Sequence, residues 1–208
     1  MKNTIITRLF CALILSSLLF LTAGCGPDVK AERKAAALIN SFETLPSELS
    51  IGDFDLDTNG YVNLEQFKKY ASQGKYSCKA TFSVPVDFLT TTQAARAKEW
   101  KSSITMGINT LSKLKNTTWN FYKKFAVDVY VADQTSPDIF IKIVDMSGNE
   151  YLAQRPLKNG RNKLEIVLDD VKTARVDTSA ITSFSIYMDT VKQPKDIVLY
   201  LDNIRLVL

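Results

Sequence analysis

Residues 124–131 read Lys-Phe-Ala-Val-Asp-Val-Tyr-Val. Every odd-numbered residue in this stretch is apolar, and the even-numbered residues include a lysine, an aspartate and a tyrosine. Side chains alternate between the two faces of a β-strand, so this pattern predicts a strand with one face on a core and the other partly solvated. The same period of two recurs at residues 139–144, 163–168 and 184–189. Antiparallel sheets tolerate a solvated face better than parallel sheets do, so the pattern favours an antiparallel fold.

Turn signals separate these strands at near-regular spacing. They are Ser-Pro-Asp at 136–138, Ser-Gly-Asn at 147–149, Lys-Asn-Gly at 158–160 and Gln-Pro-Lys at 193–195. Several short strands with few helical patterns predict an all-β fold, an antiparallel β-sandwich or jelly roll. The exceptions are residues 90–99, which favour one short surface helix, and residues 177–180, which favour a single turn. Asp169-Asp170 reads as a turn at the end of a strand.

The N-terminal segment has the parts of an export signal. A basic start with Lys2 and Arg8 precedes an apolar run at residues 9–21, and the run is followed by Thr-Ala-Gly and Cys25. The run is short for the roughly 20 residues that a membrane-spanning helix needs, which argues against an ordinary transmembrane anchor. The segment resembles the signal and lipobox of bacterial lipoproteins. That resemblance implies that residues 1–24 are a signal peptide, that Cys25 is lipidated, and that residues 25–37 hold this cysteine and a tether.

The residue after Cys25 indicates the membrane in which a lipoprotein would be held. It is Gly26 and not aspartate. By resemblance to the lipoproteins of Gram-negative bacteria, we expect an exported protein held in the outer membrane, with the lipid bilayer as partner through acylated Cys25. Two or more acyl chains give stable attachment, whereas a single chain would be marginal.

Composition excludes several classes of function. Without residues 1–24 the chain has 24 basic and 22 acidic residues, a net charge of +2, which gives no electrostatic case for binding nucleic acid. The sequence contains no histidine, which removes Ser-His-Asp and Cys-His catalysis and histidine-based metal sites. Cys78 is the cysteine left after the signal and the lipid site, so it has no disulfide partner within the chain and is expected to be buried as a small apolar group.

Three stretches carry a second resemblance. They are Leu-Ile-Asn-Ser-Phe-Glu at 38–43, Ala-Ser-Gln-Gly-Lys-Tyr-Ser at 71–77 and Leu-Tyr-Leu-Asp-Asn-Ile-Arg-Leu at 199–206. Their order and spacing resemble the galactose-binding-like jelly-roll domains that include many carbohydrate-binding modules. The resemblance implies one jelly-roll β-sandwich domain over residues 38–208.

The same resemblance suggests a structural calcium ion. Its ligands would be Glu43 at the opening strand and Asp202 in the closing strand, completed by backbone carbonyls near Gly74 and Lys75. Calcium takes six to eight oxygen ligands, so two carboxylates do not define a site. The alternative is that each carboxylate caps a turn.

Residues 55–66 have the spacing of an EF-hand calcium loop. Asp55, Asp57 and Asn59 occupy the first three ligand positions and Gly60 occupies the sixth, but the twelfth position is Gln66, where a bidentate glutamate is expected. The preceding segment contains proline and glycine, which argues against an incoming helix. We therefore favour a solvated turn followed by a strand, with a calcium loop of another kind as the next alternative.

A possible ligand surface follows from strand parity. If the apolar positions face the core, four polar or aromatic residues face outward: Asp128, Tyr130, Lys142 and Tyr187. Jelly-roll modules often grip glycans on the outer, concave face of one sheet. Tyrosine rings would then stack on sugar C–H faces, and the aspartate and lysine would bind hydroxyl groups. The alternative is an ordinary solvated sheet face. Trp119 is expected to pack in the core, and Trp100 stays undecided.

Three functions are compatible with these features. The first is a non-catalytic, membrane-anchored lipoprotein that binds a polysaccharide or glycan at the cell envelope. The alternative is a structural or interaction lipoprotein that binds a protein partner or an envelope assembly. An enzyme is the least favoured, because histidine is absent and no carboxylate pair stands out in the sequence.

Overall fold

A computed structural model describes residues 36–43, 56–58, 61–83, 101–107, 118–133, 136–189 and 195–208. The described residues belong to one compact unit, Ala36–Leu208. Its strands are β1 (Ala36–Asn40), β2 (Leu56–Asp57), β3 (Val62–Phe67), β4 (Ser77–Phe82), β5 (Lys101–Met106), β6 (Lys124–Val131), β7 (Asp138–Asp145), β8 (Glu150–Pro156), β9 (Gly160–Val167), β10 (Ile181–Asp189) and β11 (Ile197–Val207). One short helix, α1 (Leu168–Thr173), follows β9 directly.

The strands form two antiparallel sheets. Sheet A has the order β3-β4-β11-β6-β9, and β1 also pairs with β11. Sheet B has the order β2-β5-β10-β7-β8. With 11 residues, β11 is long enough to pair with β4 along its first half and with β1 along its second half, while β6 runs along its other edge. The predicted antiparallel β-sandwich is confirmed.

One hydrophobic core receives side chains from both sheets. The odd-numbered residues of β6 are buried in it, and so are Ile139, Ile141 and Ile143 of β7 and Phe184, Ile186 and Met188 of β10. Trp119, just before β6, is fully buried and stacks on Phe125 with ring centroids 5.3 Å apart, as expected of a core residue. Trp100 and the helix expected at residues 90–99 lie outside the described residues.

Asp169 and Asp170 lie in helix α1 and do not form the turn that the sequence suggested. They form the first turn of α1, where negative charge is favourable, and Lys172 pairs with Asp169 at 2.8 Å. The helix forms because Leu168 and Val171, three positions apart, are both buried against the core. The turn expected at residues 177–180 is confirmed by a backbone hydrogen bond from Ala180 to Asp177.

The possible EF-hand loop runs into a strand. Since β3 spans Val62–Phe67, Gln66 pairs with Cys78 in sheet A and cannot begin the exiting helix that an EF-hand requires. The side-chain amide of Gln66 donates a hydrogen bond to the backbone carbonyl of Glu43, 2.7 Å away. This segment therefore builds the sheet.

Cys78 is buried in β4, as predicted, and burial raises the pKa of its thiol to about 12. Strand β1 begins at Ala36, two residues before the expected start of the domain. The signal peptide, Cys25 and most of the tether lie outside the described residues. Within the described part of the chain, no helix is long and apolar enough to cross a membrane.

Candidate functional site

The outer face of sheet A carries two short rows of side chains from neighbouring strands. In the first row, Tyr200 of β11, Tyr130 of β6 and Arg161 of β9 lie directly opposite one another. The second row is formed by residues two positions further along or back on these strands. Asp202 of β11, Asp128 of β6 and Lys163 of β9 lie directly opposite one another. Directly opposed side chains on one face lie about 4.5–5.5 Å apart at their Cβ atoms, so the rows bring aromatic, acidic and basic groups together.

A third tyrosine reaches this face from the loop after β3. The ring of Tyr70 stacks on Tyr130 with centroids 3.9 Å apart and planes 11° apart, and it tilts against Tyr200 at 4.6 Å. Tyr70 has a φ of 65°, in the left-handed region that residues other than glycine seldom adopt. Phe67, at the end of β3, extends the cluster with its ring 5.1 Å from Tyr200.

These groups surround a pocket of about 320 Å³, which we call the tyrosine pocket. Its volume is near the lower end of the range of about 300–1,000 Å³ for small-molecule sites. The lining residues are Tyr70, Ser72, Asp128, Val129, Tyr130, Arg161, Asn162, Lys163 and Tyr200.

Three hydrogen bonds and an ion pair fix Asp128 in the pocket. Arg205 donates from Nη2 to Oδ1 at 3.2 Å, and its Nη1 forms an ion pair with Oδ2 at 3.1 Å. The side-chain amide of Asn203 and the hydroxyl of Ser72 also contact Oδ2, at 3.0 and 2.7 Å. A bidentate arginine fixes the plane of a carboxylate as well as balancing its charge. A β-bulge in β11 between Asp202 and Arg205 places Arg205 opposite Ala126, next to Asp128 on the same face.

Asp202 lies beneath the loop and does not open into the pocket. It is 1% exposed, and its Oδ2 accepts hydrogen bonds from the backbone N–H groups of Ser72 (2.6 Å) and Gln73 (2.9 Å). The hydroxyl of Ser72 lies 3.0 Å from the same oxygen, so this hydroxyl links Asp202 to Asp128. Burial raises the pKa of Asp202, and the N–H donors partly oppose that shift.

Glu43, just after β1, holds the other end of the same loop. Its Oε1 accepts hydrogen bonds from the backbone N–H groups of Lys75 (2.9 Å) and Tyr76 (3.0 Å). Directly before Lys75, Gly74 has a φ of 74°, and a Cβ atom there would collide with the Glu43 carboxylate. The carboxylates of Glu43, just after β1, and of Asp202 in β11 therefore hold residues 72–76, and so position the loop that carries Tyr70.

The calcium prediction can be compared with these contacts. At Lys75 and Tyr76 the loop presents N–H donors to Glu43, where a calcium site needs carbonyl oxygens. The described residues also contain no group of three or more His, Cys, Asp or Glu side chains that could hold a metal ion. As described, Glu43 and Asp202 do not fit a calcium site. Their contacts match the alternative, in which each carboxylate caps a turn.

The four residues predicted to bind a ligand do not lie together. Asp128 and Tyr130 lie in the tyrosine pocket, but Lys142 and Tyr187 belong to β7 and β10 of sheet B, across the core. Lys142 pairs with Glu150 at 3.0 Å. Tyr187 is only 5% exposed and stacks on Phe140, so the expectation that it offers an open ring is wrong.

Sequence reasoning missed Tyr70, Arg161 and Tyr200. Tyr200 and Arg161 have the parity of outward positions in their strands, but only the register between strands brings them beside Tyr130. Tyr70 carries no such signal, because it lies in the loop between β3 and β4.

The sequence matches no family model, and no curated protein matches it. The fold, however, is similar to solved structures. One is a family 11 carbohydrate-binding module from Clostridium thermocellum, solved in complex with a β-1,3-1,4-mixed-linked tetrasaccharide. It is 10% identical with a TM-score of 0.53, over 83% of this chain and 95% of that one. Another is an exo-β-agarase, 11% identical with a TM-score of 0.54, over 82% of this chain but only 24% of the agarase. The chain thus has the β-sandwich fold found in a family 11 carbohydrate-binding module.

Proposed function

We propose that this protein is a non-catalytic, lipid-anchored carbohydrate-binding protein, and that the tyrosine pocket is its binding site. The observation that carries the proposal is the meeting of Tyr70, Tyr130 and Tyr200 with an oriented carboxylate, Asp128, on one sheet face. The similar family 11 module, solved with a tetrasaccharide, supports the same class of ligand.

The chemistry of the pocket suits a sugar ring. A pyranose has apolar C–H faces and a rim of hydroxyl groups, and it needs an apolar wall together with a few well-placed polar groups. The tyrosine rings provide such a wall, with hydroxyl groups of their own. Asp128 accepts hydrogen bonds from hydroxyl groups. Because Arg205 already sets its orientation, the side chain loses little conformational freedom when a sugar binds.

The positions of the Asp128 and Asp202 carboxylates favour a binding role over hydrolysis. Glycosidases generally flank the scissile bond with two accessible carboxyl groups, one acting as the acid and the other as base or nucleophile. Here Asp128 is paired with Arg205, and Asp202 is buried beneath residues 72 and 73. Only one of the two carboxylates can therefore reach a sugar in the pocket.

The lipid anchor rests on the sequence before Ala36. The apolar run and the small residues before Cys25 support export and lipidation, and Gly26 supports the outer membrane of a Gram-negative cell. Metabolic labelling with radioactive palmitate tests the anchor. We expect label in the wild-type chain and none in the Cys25→Ala chain, and equal labelling would exclude the anchor.

Affinity gel electrophoresis of the detergent-solubilised full chain, with a panel of polysaccharides in the gel, tests the site. We expect retention by at least one polysaccharide and loss of that retention in Tyr130→Ala. The control is Phe121→Ala, which removes an aromatic ring that is 75% exposed and does not line the pocket. Unchanged migration of the wild type in every gel would refute carbohydrate binding. Unchanged retention of Tyr130→Ala would refute the pocket as its site.

A further inference from the structure

The charges of the tyrosine pocket are not balanced. Asp128 is neutralised by Arg205, and Lys163 shares its charge with Glu165, whose carboxylate lies 3.1 Å away. Arg161 differs from both, because it makes no ion pair with any residue that the structure describes. Its side chain is exposed at the pocket wall, directly opposite Tyr130. The pocket therefore contains one uncompensated guanidinium group beside an aromatic wall.

The position of Arg161 is set by the turn before it. Strand β9 begins at Gly160, whose φ of 87° favours glycine. The side chain of Asn162 closes this turn by accepting a hydrogen bond from the backbone N–H of Lys158 and donating to its carbonyl, at 2.9 and 2.7 Å. The backbone at Arg161 is thus held on both sides, while the guanidinium group stays available to a ligand.

We infer that the tyrosine pocket binds an acidic saccharide, in which a carboxylate or sulfate pairs with Arg161 while the sugar ring lies against the tyrosine wall. This inference rests on the proposed function and narrows its ligand class. The planar guanidinium matches carboxylates and sulfates with two parallel hydrogen bonds. Asp128 does not repel such a ligand strongly, because the bidentate contact with Arg205 offsets its charge.

Isothermal titration calorimetry of the detergent-solubilised full chain tests this inference. The carboxylated ligand is oligogalacturonate, and its carboxyl-reduced form is the matched neutral ligand. A sulfated galactan oligosaccharide tests the other anionic group. We expect the chain to bind one of the two anionic ligands, and carboxyl reduction to weaken binding if oligogalacturonate is that ligand. Affinity should fall with added salt, because screening weakens an exposed ion pair.

The decisive variant is Arg161→Gln, with Arg155→Gln as the control for net charge. Arg155 lies in β8 of sheet B, outside the pocket. We expect Arg161→Gln to weaken anionic binding about tenfold or more, as the loss of a charged hydrogen-bonded pair does, and Arg155→Gln to leave it unchanged.

The possible failures are distinguishable. Equal affinity of Arg161→Gln and wild type for the anionic ligands overturns the inference. Binding of neutral saccharides alone also overturns it while leaving the proposed function intact. If neither the calorimetry nor the gel panel detects any saccharide binding, the proposed function fails and the inference fails with it.

Discussion

Replacing Gly74 with alanine should destabilise the protein more than the same change at Gly148. Both glycines have a positive φ, 74° and 80°, so alanine pays a similar backbone cost at each, about 1–2 kcal/mol. The surroundings differ. A Cβ at Gly148 meets nothing within 4 Å, whereas a Cβ at Gly74 collides with the carboxylate of Glu43.

The collision with Glu43 determines how much more stability Gly74→Ala loses than Gly148→Ala. Glu43 is flexible and can move away, but it then loses its hydrogen bonds to the N–H groups of Lys75 and Tyr76. A net loss of about 0.5–1.5 kcal/mol for each bond gives about 1–3 kcal/mol beyond the cost at Gly148. Urea unfolding measures this difference, provided that the slopes of the transitions stay equal. The same displacement should disturb Tyr70 and weaken saccharide binding in Gly74→Ala but not in Gly148→Ala.

A double-mutant cycle tests whether the collision with Glu43 causes the extra loss of stability in Gly74→Ala. In a Glu43→Ala chain the collision partner is absent, so Gly74→Ala should cost only about as much as Gly148→Ala does in the wild type. The reasoning is refuted if the free energies of unfolding of Gly74→Ala and Gly148→Ala agree within about 0.5 kcal/mol. It is also refuted if Gly74→Ala costs as much in the Glu43→Ala chain as in the wild type.

Two further predictions concern Cys78 and calcium. Burial raises the pKa of Cys78 to about 12, from an ordinary value of 9.0, so the unfolded chain loses the thiol proton at a lower pH than the folded one. Its contribution to stability should be complete below pH 9.0 and decline between there and about 12. Urea midpoints measured from pH 8 upward should fall more steeply for the wild type than for Cys78→Ala, and parallel curves would contradict this. The melting temperature should be the same in millimolar calcium and in chelator, because the described contacts give Glu43 and Asp202 N–H partners. Stabilisation by calcium that is lost in Glu43→Ala would restore a metal site.

The sandwich could be predicted because burial follows the local period of the sequence. In β6 the odd-numbered residues are buried and Asp128 and Tyr130 are less buried, as their alternation indicates. Helix α1 was harder to predict from the sequence, because it has only six residues and buries just two of them, Leu168 and Val171. A stretch that short carries too little periodicity to distinguish a helix from a turn.

The tyrosine pocket could be predicted only in part, because strand parity gives the side of a strand on which a residue lies and not the sheet to which the strand belongs. Asp128 and Lys142 have the same outward parity, yet β6 lies in sheet A and β7 in sheet B. Pairing between distant strands decides that difference, and it also brings Arg161 and Tyr200 to the two sides of Tyr130. None of these neighbours is close in sequence, so no local pattern contains the site.

Glu43 and Asp202 connect the paired strands β1 and β11 to the loop at the tyrosine pocket. One lies just after β1 and the other in β11, and these two strands pair directly. Each carboxylate accepts two N–H groups from residues 72–76, and the Ser72 hydroxyl connects Asp202 to Asp128 in the pocket. The loop that positions Tyr70 is therefore complete only when the first and last strands are in place. It follows that substitutions in β1 that weaken its pairing with β11 should lower saccharide affinity, measured by calorimetry, at urea concentrations that leave the core folded, although no residue of β1 lines the pocket.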